Sequence, residues 1–124
     1  MSGTLAPDAP KERATAMTIT NEITEAIRAC TLTVEVCKEC ASACETKGGM
    51  ETCARLCDEA AAICEEHASN LKNGDRSKAA KCIAVCEACA EECDKSPSME
   101  PCARCAESCS DCADACQAAE AIKA

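Results

Sequence analysis

"CARCAESCSDCADAC", residues 102–116, sets five cysteines at intervals of three, four, three and four. This spacing marks one stripe of an α-helix, the stripe that a helical bundle packs against its neighbours. Leucine or isoleucine ordinarily fills such a seam. Here the seam is sulfur.

The rest of the chain makes the same exchange. Among 124 residues, Leu, Ile and Val number 4, 6 and 3, aromatic residues are absent, and cysteines number 16. So few aliphatic residues with a net charge of -9 would suggest disorder if cysteine were counted as polar. Free cysteine instead behaves as a small buried hydrophobe, so the thiols are the core. The length suits one domain. The acidic balance, 22 Asp and Glu against 13 Lys and Arg, argues against nucleic acid or an anionic membrane as partner. No run of 18 apolar residues suggests a membrane span. The segment "MSGTLAPDAPKERATAMT" has no hydrophobic stretch like that of a signal peptide, so a cytoplasmic location with reduced thiols is expected.

The sequence is duplicated. An offset of 49 residues places Cys37 on Cys86, Cys40 on Cys89, Cys44 on Cys93 and Cys53 on Cys102, and matches Met50 to Met99 and Arg55 to Arg104. Each unit reads as a helix, a turn and a second helix. Helices are expected over about 20–45, 51–72, 75–94 and 98–120, after a flexible leader over 1–17. Gly48 and Gly49 supply the first C-cap, and Asp75 and Ser98 are candidate N-caps. Short connections make successive helices antiparallel. The expected fold is all-α, an up-down-up-down four-helix bundle that forms a single domain over 18–124.

On such a bundle the cysteines fall on inward stripes. The first helix carries Cys30, Cys37, Cys40 and Cys44, the second Cys53, Cys57, Cys64 and His67. The third carries Cys82, Cys86, Cys89 and Cys93, the fourth Cys102, Cys105, Cys109, Cys112 and Cys116. Folding the hairpins at their turns stacks these into layers. Cys44, Cys53, Cys93 and Cys102 come first, then Cys40, Cys57, Cys89 and Cys105, then Cys37, Cys86 and Cys109, then Cys64, Cys82 and Cys112. Cys30 and Cys116 flank His67 at the far end. Cys30 to Cys44 spans roughly 21 Å at the helical rise.

Ala or Val would fill these positions without risk of oxidation, so the thiols call for a chemical reason. A disulfide scaffold or a thiol-disulfide redox protein would use the C-x-x-C pairs, although it needs exposed or paired sulfurs rather than rows along four helices. A zinc store would hold four ions in four-thiolate sites, leaving 16 negative charges against 8 positive ones in the core. Iron-sulfur clusters usually draw on loop cysteines. Cu(I) fits best. It is soft, prefers thiolate, and replaces one proton with one positive charge, so a filled core stays near neutral. "CKEC", "CEAC", "CARC" and "CSDC" each place two sulfurs one helical turn apart.

The stripes in "CKECASAC", "CEACAEEC" and "CARCAESCSDCADAC" resemble the bacterial copper storage proteins over roughly residues 20–120. The resemblance implies a four-helix bundle that holds many Cu(I) ions, for storage or detoxification. It implies no enzyme and a homo-oligomer, a tetramer, of the type without an export leader. Family members place His or Met ligands at the end where copper enters, whereas the first helix here shows Ile19, Ile23 and Ile27 in that region.

His67 is either a further ligand or a histidine favourably placed near a helix C-terminus. The face where it meets Cys30 and Cys116 is the expected mouth of the tube. Met50 and Met99 read as hydrophobic plugs at the opposite end, or else as thioether ligands.

Overall fold

Good helix formers dominate this chain, and its punctuation is sparse: beyond Pro10, the glycine pair and the prolines occur only where one helix gives way to the next. The computed structural model describes residues 9–122, with side chains from Asn21 onward. Four helices follow: α1 (Ala9–Lys47), α2 (Glu51–Lys72), α3 (Ala79–Cys93) and α4 (Glu100–Ala121). Each packs on its neighbours in sequence, and α4 closes the ring against α1. This is the up-down-up-down bundle. No helix among the described residues is long and apolar enough to cross a membrane.

Several boundaries depart from the sequence reading. The expected leader over 1–17 is helical from Ala9, and its first eight residues lie outside the described residues. Pro10 does not prevent this, because in the first turn of a helix its missing N–H has no partner to lose. The third helix begins at Ala79, not near residue 75. Asp75 instead accepts the Ser77 N–H at 2.9 Å within the turn, a local bond that competes with helix. Neither Asp75 nor Ser98 serves as an N-cap. The cap residues are Lys78 and Met99, and neither makes a side-chain capping bond.

The two turns differ. α1 runs on to Lys47 and closes through Gly48 and Gly49, with φ of 80° and 76°, a region open to glycine at little strain. The Gly48 N–H bonds the Cys44 carbonyl at 3.0 Å. In the second hairpin, Pro97 cannot donate to the Cys93 carbonyl four residues back and clashes with it. α3 therefore stops at Cys93, and Ser96 N–H takes that carbonyl at 3.1 Å.

The core consists of the 16 cysteines together with small alanines and a few branched residues, among them Val34, Ile63 and Leu71. One polar pair lies inside it. Thr33 is fully buried, donates to the Ser108 carbonyl at 3.2 Å, and meets the Ser108 hydroxyl at 2.8 Å, tying α1 to α4. On the surface, Arg104 bridges to Glu39 across the same two helices at 2.7 Å. The first pair is the stronger device, because exposed ion pairs contribute little. Replacing Thr33 with Val should lower the stability of the protein by about 1 kcal/mol, since Ser108 loses its buried partner. Ser108→Ala, which keeps the bond to the carbonyl, should have a smaller effect. A double-mutant cycle by chemical denaturation should show coupling between the two.

Candidate metal centre

Every cysteine is 2% exposed or less, and all 16 are free thiols. They reach the core because each helix carries them at steps of three and four, which is the period of one face. Sulfur–sulfur separations of 3.5–3.9 Å run through the core. A disulfide requires about 2.05 Å, so these are packed thiols and not bonds.

Five groups of four sulfurs each lie within 4.8 Å of one another. From the turn end they are Cys40, Cys44, Cys53 and Cys102; then Cys40, Cys57, Cys93 and Cys105; then Cys37, Cys89, Cys105 and Cys109. At the other end come Cys64, Cys82, Cys86 and Cys112, and finally Cys30, Cys82, Cys112 and Cys116. The expected layers are corrected in one respect. Cys93, Cys89 and Cys86 each join the group one rung farther from the turns than their assigned layer, while Cys82 keeps its layer with Cys64 and Cys112 and also joins Cys30 and Cys116. The cause is the connection after Cys93. Residues 94–99 lie outside the helices there, against only 48–50 in the first hairpin, so α3 starts its stack deeper. Cys93 still touches Cys53 at 3.6 Å.

The sulfur contacts resolve into two networks. Cys30, Cys64, Cys82, Cys86, Cys112 and Cys116 are joined by contacts of 3.5–3.9 Å. The other ten cysteines are joined in the same way around Cys57, Cys93 and Cys105. Cys86 and Cys109, which hydrogen-bond across the boundary, join the two.

Charge decides what the core can do. Burial pushes the Cys44 thiol up to about 12 and Cys53 higher still. Inside the clusters, neighbouring S–H groups favour single thiolates. Cys105, Cys109, Cys37 and Cys57 hold Cys89 down at about 2, and Cys116, Cys30, Cys64 and Cys82 act likewise on Cys112. The donors are driven the other way: contact with Cys105 raises Cys37 and Cys109, and contact with Cys112 raises Cys64. Several thiolates cannot gather in these buried clusters unless a cation takes the place of each proton lost.

His67 is 1% exposed and points inward as expected, but it belongs to none of the four-sulfur groups. Cys30 and Cys116 touch each other at 3.7 Å. The Nδ1 of His67 is buried with no hydrogen-bond partner, an unusual state for a ring nitrogen. Met50 and Met99 are half-buried against the core. The Thr33–Ser108 pair was missed in the sequence, although a Thr and a Ser beside the stripe positions Val34 and Cys109 were the available signal.

Fold and site together define a four-helix bundle whose core groups free thiols at distances that could hold metal ions. A comparison with curated protein sequences finds no match. The family model "Csp: Copper storage protein" matches residues 19–121, most of the chain. This protein belongs to the copper storage protein family, as the resemblance of its stripes implied. A cytosolic copper storage protein from Streptomyces lividans, seen during copper loading with five coppers, is 30% identical with a TM-score of 0.80. That match covers 86% of this chain and 98% of the other. A structure of the copper storage protein Ccsp from Streptomyces lividans, loaded with 10 copper equivalents, is 31% identical with a TM-score of 0.77. It covers 83% of this chain and 86% of the other.

Burial lowers the pKa of His67 below its ordinary 6.5, against the opposing pull of Cys112, Glu120 and Asp75. The folded protein therefore keeps the imidazole neutral where the unfolded chain would protonate it. Its contribution to stability is complete above 6.5 and is lost as pH falls through 6.5 toward the folded value. The stability gap between wild type and His67→Gln should shift against the wild type on acidification from pH 7.5 to about 5.5. A gap independent of pH, measured by denaturant unfolding of the copper-free proteins, would place His67 in water.

Proposed function

We propose that this chain stores and sequesters Cu(I) in the cytoplasm, holding the ions on all 16 core thiolates and on His67. The observation that carries this reading is the continuity of the sulfur: buried free thiols with neighbours at 3.5–3.9 Å along the whole bundle. Bridging thiolates at such spacings suit a soft ion of low coordination number, and each ion that enters offsets one lost proton. Copper storage family membership and the copper-loaded Streptomyces lividans neighbours, one of them cytosolic, support the same reading.

The metal ligands are Cys30, Cys37, Cys40, Cys44, Cys53, Cys57, Cys64, Cys82, Cys86, Cys89, Cys93, Cys102, Cys105, Cys109, Cys112 and Cys116. His67 joins them through its unpartnered Nδ1, which a cation would satisfy. The role is storage and protection, not catalysis. A thiol-disulfide enzyme needs an accessible sulfur to attack its substrate, and no cysteine here is more than 2% exposed. Zinc is disfavoured by the same burial, since filled four-thiolate sites would leave net negative charge in the core. The chain acts as a homotetramer. Leu32, 59% exposed on α1, is the large apolar side chain that contact between copies would cover.

Titration with Cu(I) against a competing chelator, followed by metal analysis, tests the reading. We expect saturation at roughly 14 to 20 ions per chain, with an unfolding temperature that climbs as copper is added. Saturation near four ions, with zinc bound as tightly, would instead support the four-thiolate zinc store.

A further inference from the structure

We propose that Cu(I) enters and leaves this store at the α1–α2 turn, through two openings on either side of Met50, and not past His67. The proposal rests on the storage reading and reverses the expectation that His67 marks the mouth.

The two ends of the sulfur core are covered differently. At the His67 end, each helix places an apolar residue one turn beyond its outermost donor. Ala26 follows this rule for Cys30, Leu71 for His67, Ala79 for Cys82 and Ala119 for Cys116, and none is more than 4% exposed. The α2–α3 turn is pinned over that layer. Arg76 donates to the Ala119 and Ile122 carbonyls at 2.6 and 3.0 Å, and to Glu120 at 3.0 Å. Among the described residues, an ion passing here would cross this apolar layer before it met His67 or a thiol.

The turn end is covered less completely, by Met50 and Met99, which are only half-buried. One turn beyond Cys44 and Cys53 stand Gly48, Gly49 and Met50. Both glycines are exposed, and a Cβ added to either would meet nothing within 4 Å. An open cavity of about 510 Å³ lies beside this turn and reaches Cys44. A second, of about 190 Å³, reaches Cys53. Met50 and Glu51 line both. The two thiols so reached belong to one four-sulfur group, Cys40, Cys44, Cys53 and Cys102. At the matching place of the repeat, the second turn carries Pro97 and Ser98 in place of the two glycines.

The chemistry of the openings suits a soft cation. Four acidic residues, Glu45, Glu51, Asp58 and Glu59, line the larger one against a single cation, Arg55, and draw positive charge, on a chain whose net charge is -9. The Met50 thioether is a soft ligand with no proton to lose, so it can hold Cu(I) briefly and yield it to a thiolate. Ions arriving here meet the ten-sulfur network first and the six-sulfur network, with His67, last.

The test is the rate of Cu(I) uptake, supplied as its complex with excess small thiol and followed by stopped-flow absorbance of the copper–thiolate bands. Met50→Trp fills both openings, and Glu51→Trp covers them from an exposed position that can accept the ring. Each should slow uptake tenfold or more without changing final capacity. Leu71→Val, which thins the opposite layer, should leave the rate within twofold of wild type. If Met50→Trp fails to fold, as judged by circular dichroism, Glu51→Trp decides. Wild-type rates in the Trp variants, or faster uptake in Leu71→Val, would overturn the port. Loss of copper capacity in the wild type itself would instead overturn the storage reading.

Discussion

Charge cannot accumulate in a core of sulfur. Sixteen thiols packed at 3.5–3.9 Å are inert as neutral groups, yet a few thiolates among them would repel strongly where no water screens them. The burial that raises Cys44 and Cys53 expresses that limit in the metal-free protein. A monovalent soft cation lifts it, because each ion brings the charge that each departing proton removes. The choice of metal, the burial of every ligand and the absence of an exposed nucleophilic thiol in this bundle all follow from that exchange.

The same constraint explains the rest of the core. Thiols are small, so the helices pack with alanines such as Ala60, Ala61 and Ala113 between them and with few branched side chains. Each sulfur buries less area than a leucine, so the metal-free fold leans on helix propensity and on specific ties. Thr33 with Ser108 joins α1 to α4, and Arg76 joins the α2–α3 turn to the end of α4. Bound copper then adds stability in proportion to its affinity for the folded state.

Much of this was legible in the sequence because cysteine is an unambiguous marker. Steps of three and four gave the stripes, the 49-residue repeat gave the hairpins, and Gly48–Gly49 gave a turn. Three features lay beyond it. Asp75 looked like a cap but spends its carboxylate on Ser77, a choice between two local bonds that spacing does not resolve. The repeat suggested equal hairpins, whereas Pro97 stops α3 at Cys93 and moves three of its thiols one rung along. His67 was legible as an inward residue at one end, whereas the small residues buried beyond that layer, Ala26, Ala79 and Ala119, carry no signal until the helices are placed in register.

The central claim is that copper replaces protons one for one inside a neutral core. Its most direct test is to titrate the metal-free protein with Cu(I) in weakly buffered solution at pH 7.5 and to measure the protons released for each ion bound. The account predicts close to one proton per ion across the filling. A release near zero would contradict it, since the core would then be charged before copper arrives. So would a release near four protons per ion, the mark of isolated four-thiolate sites.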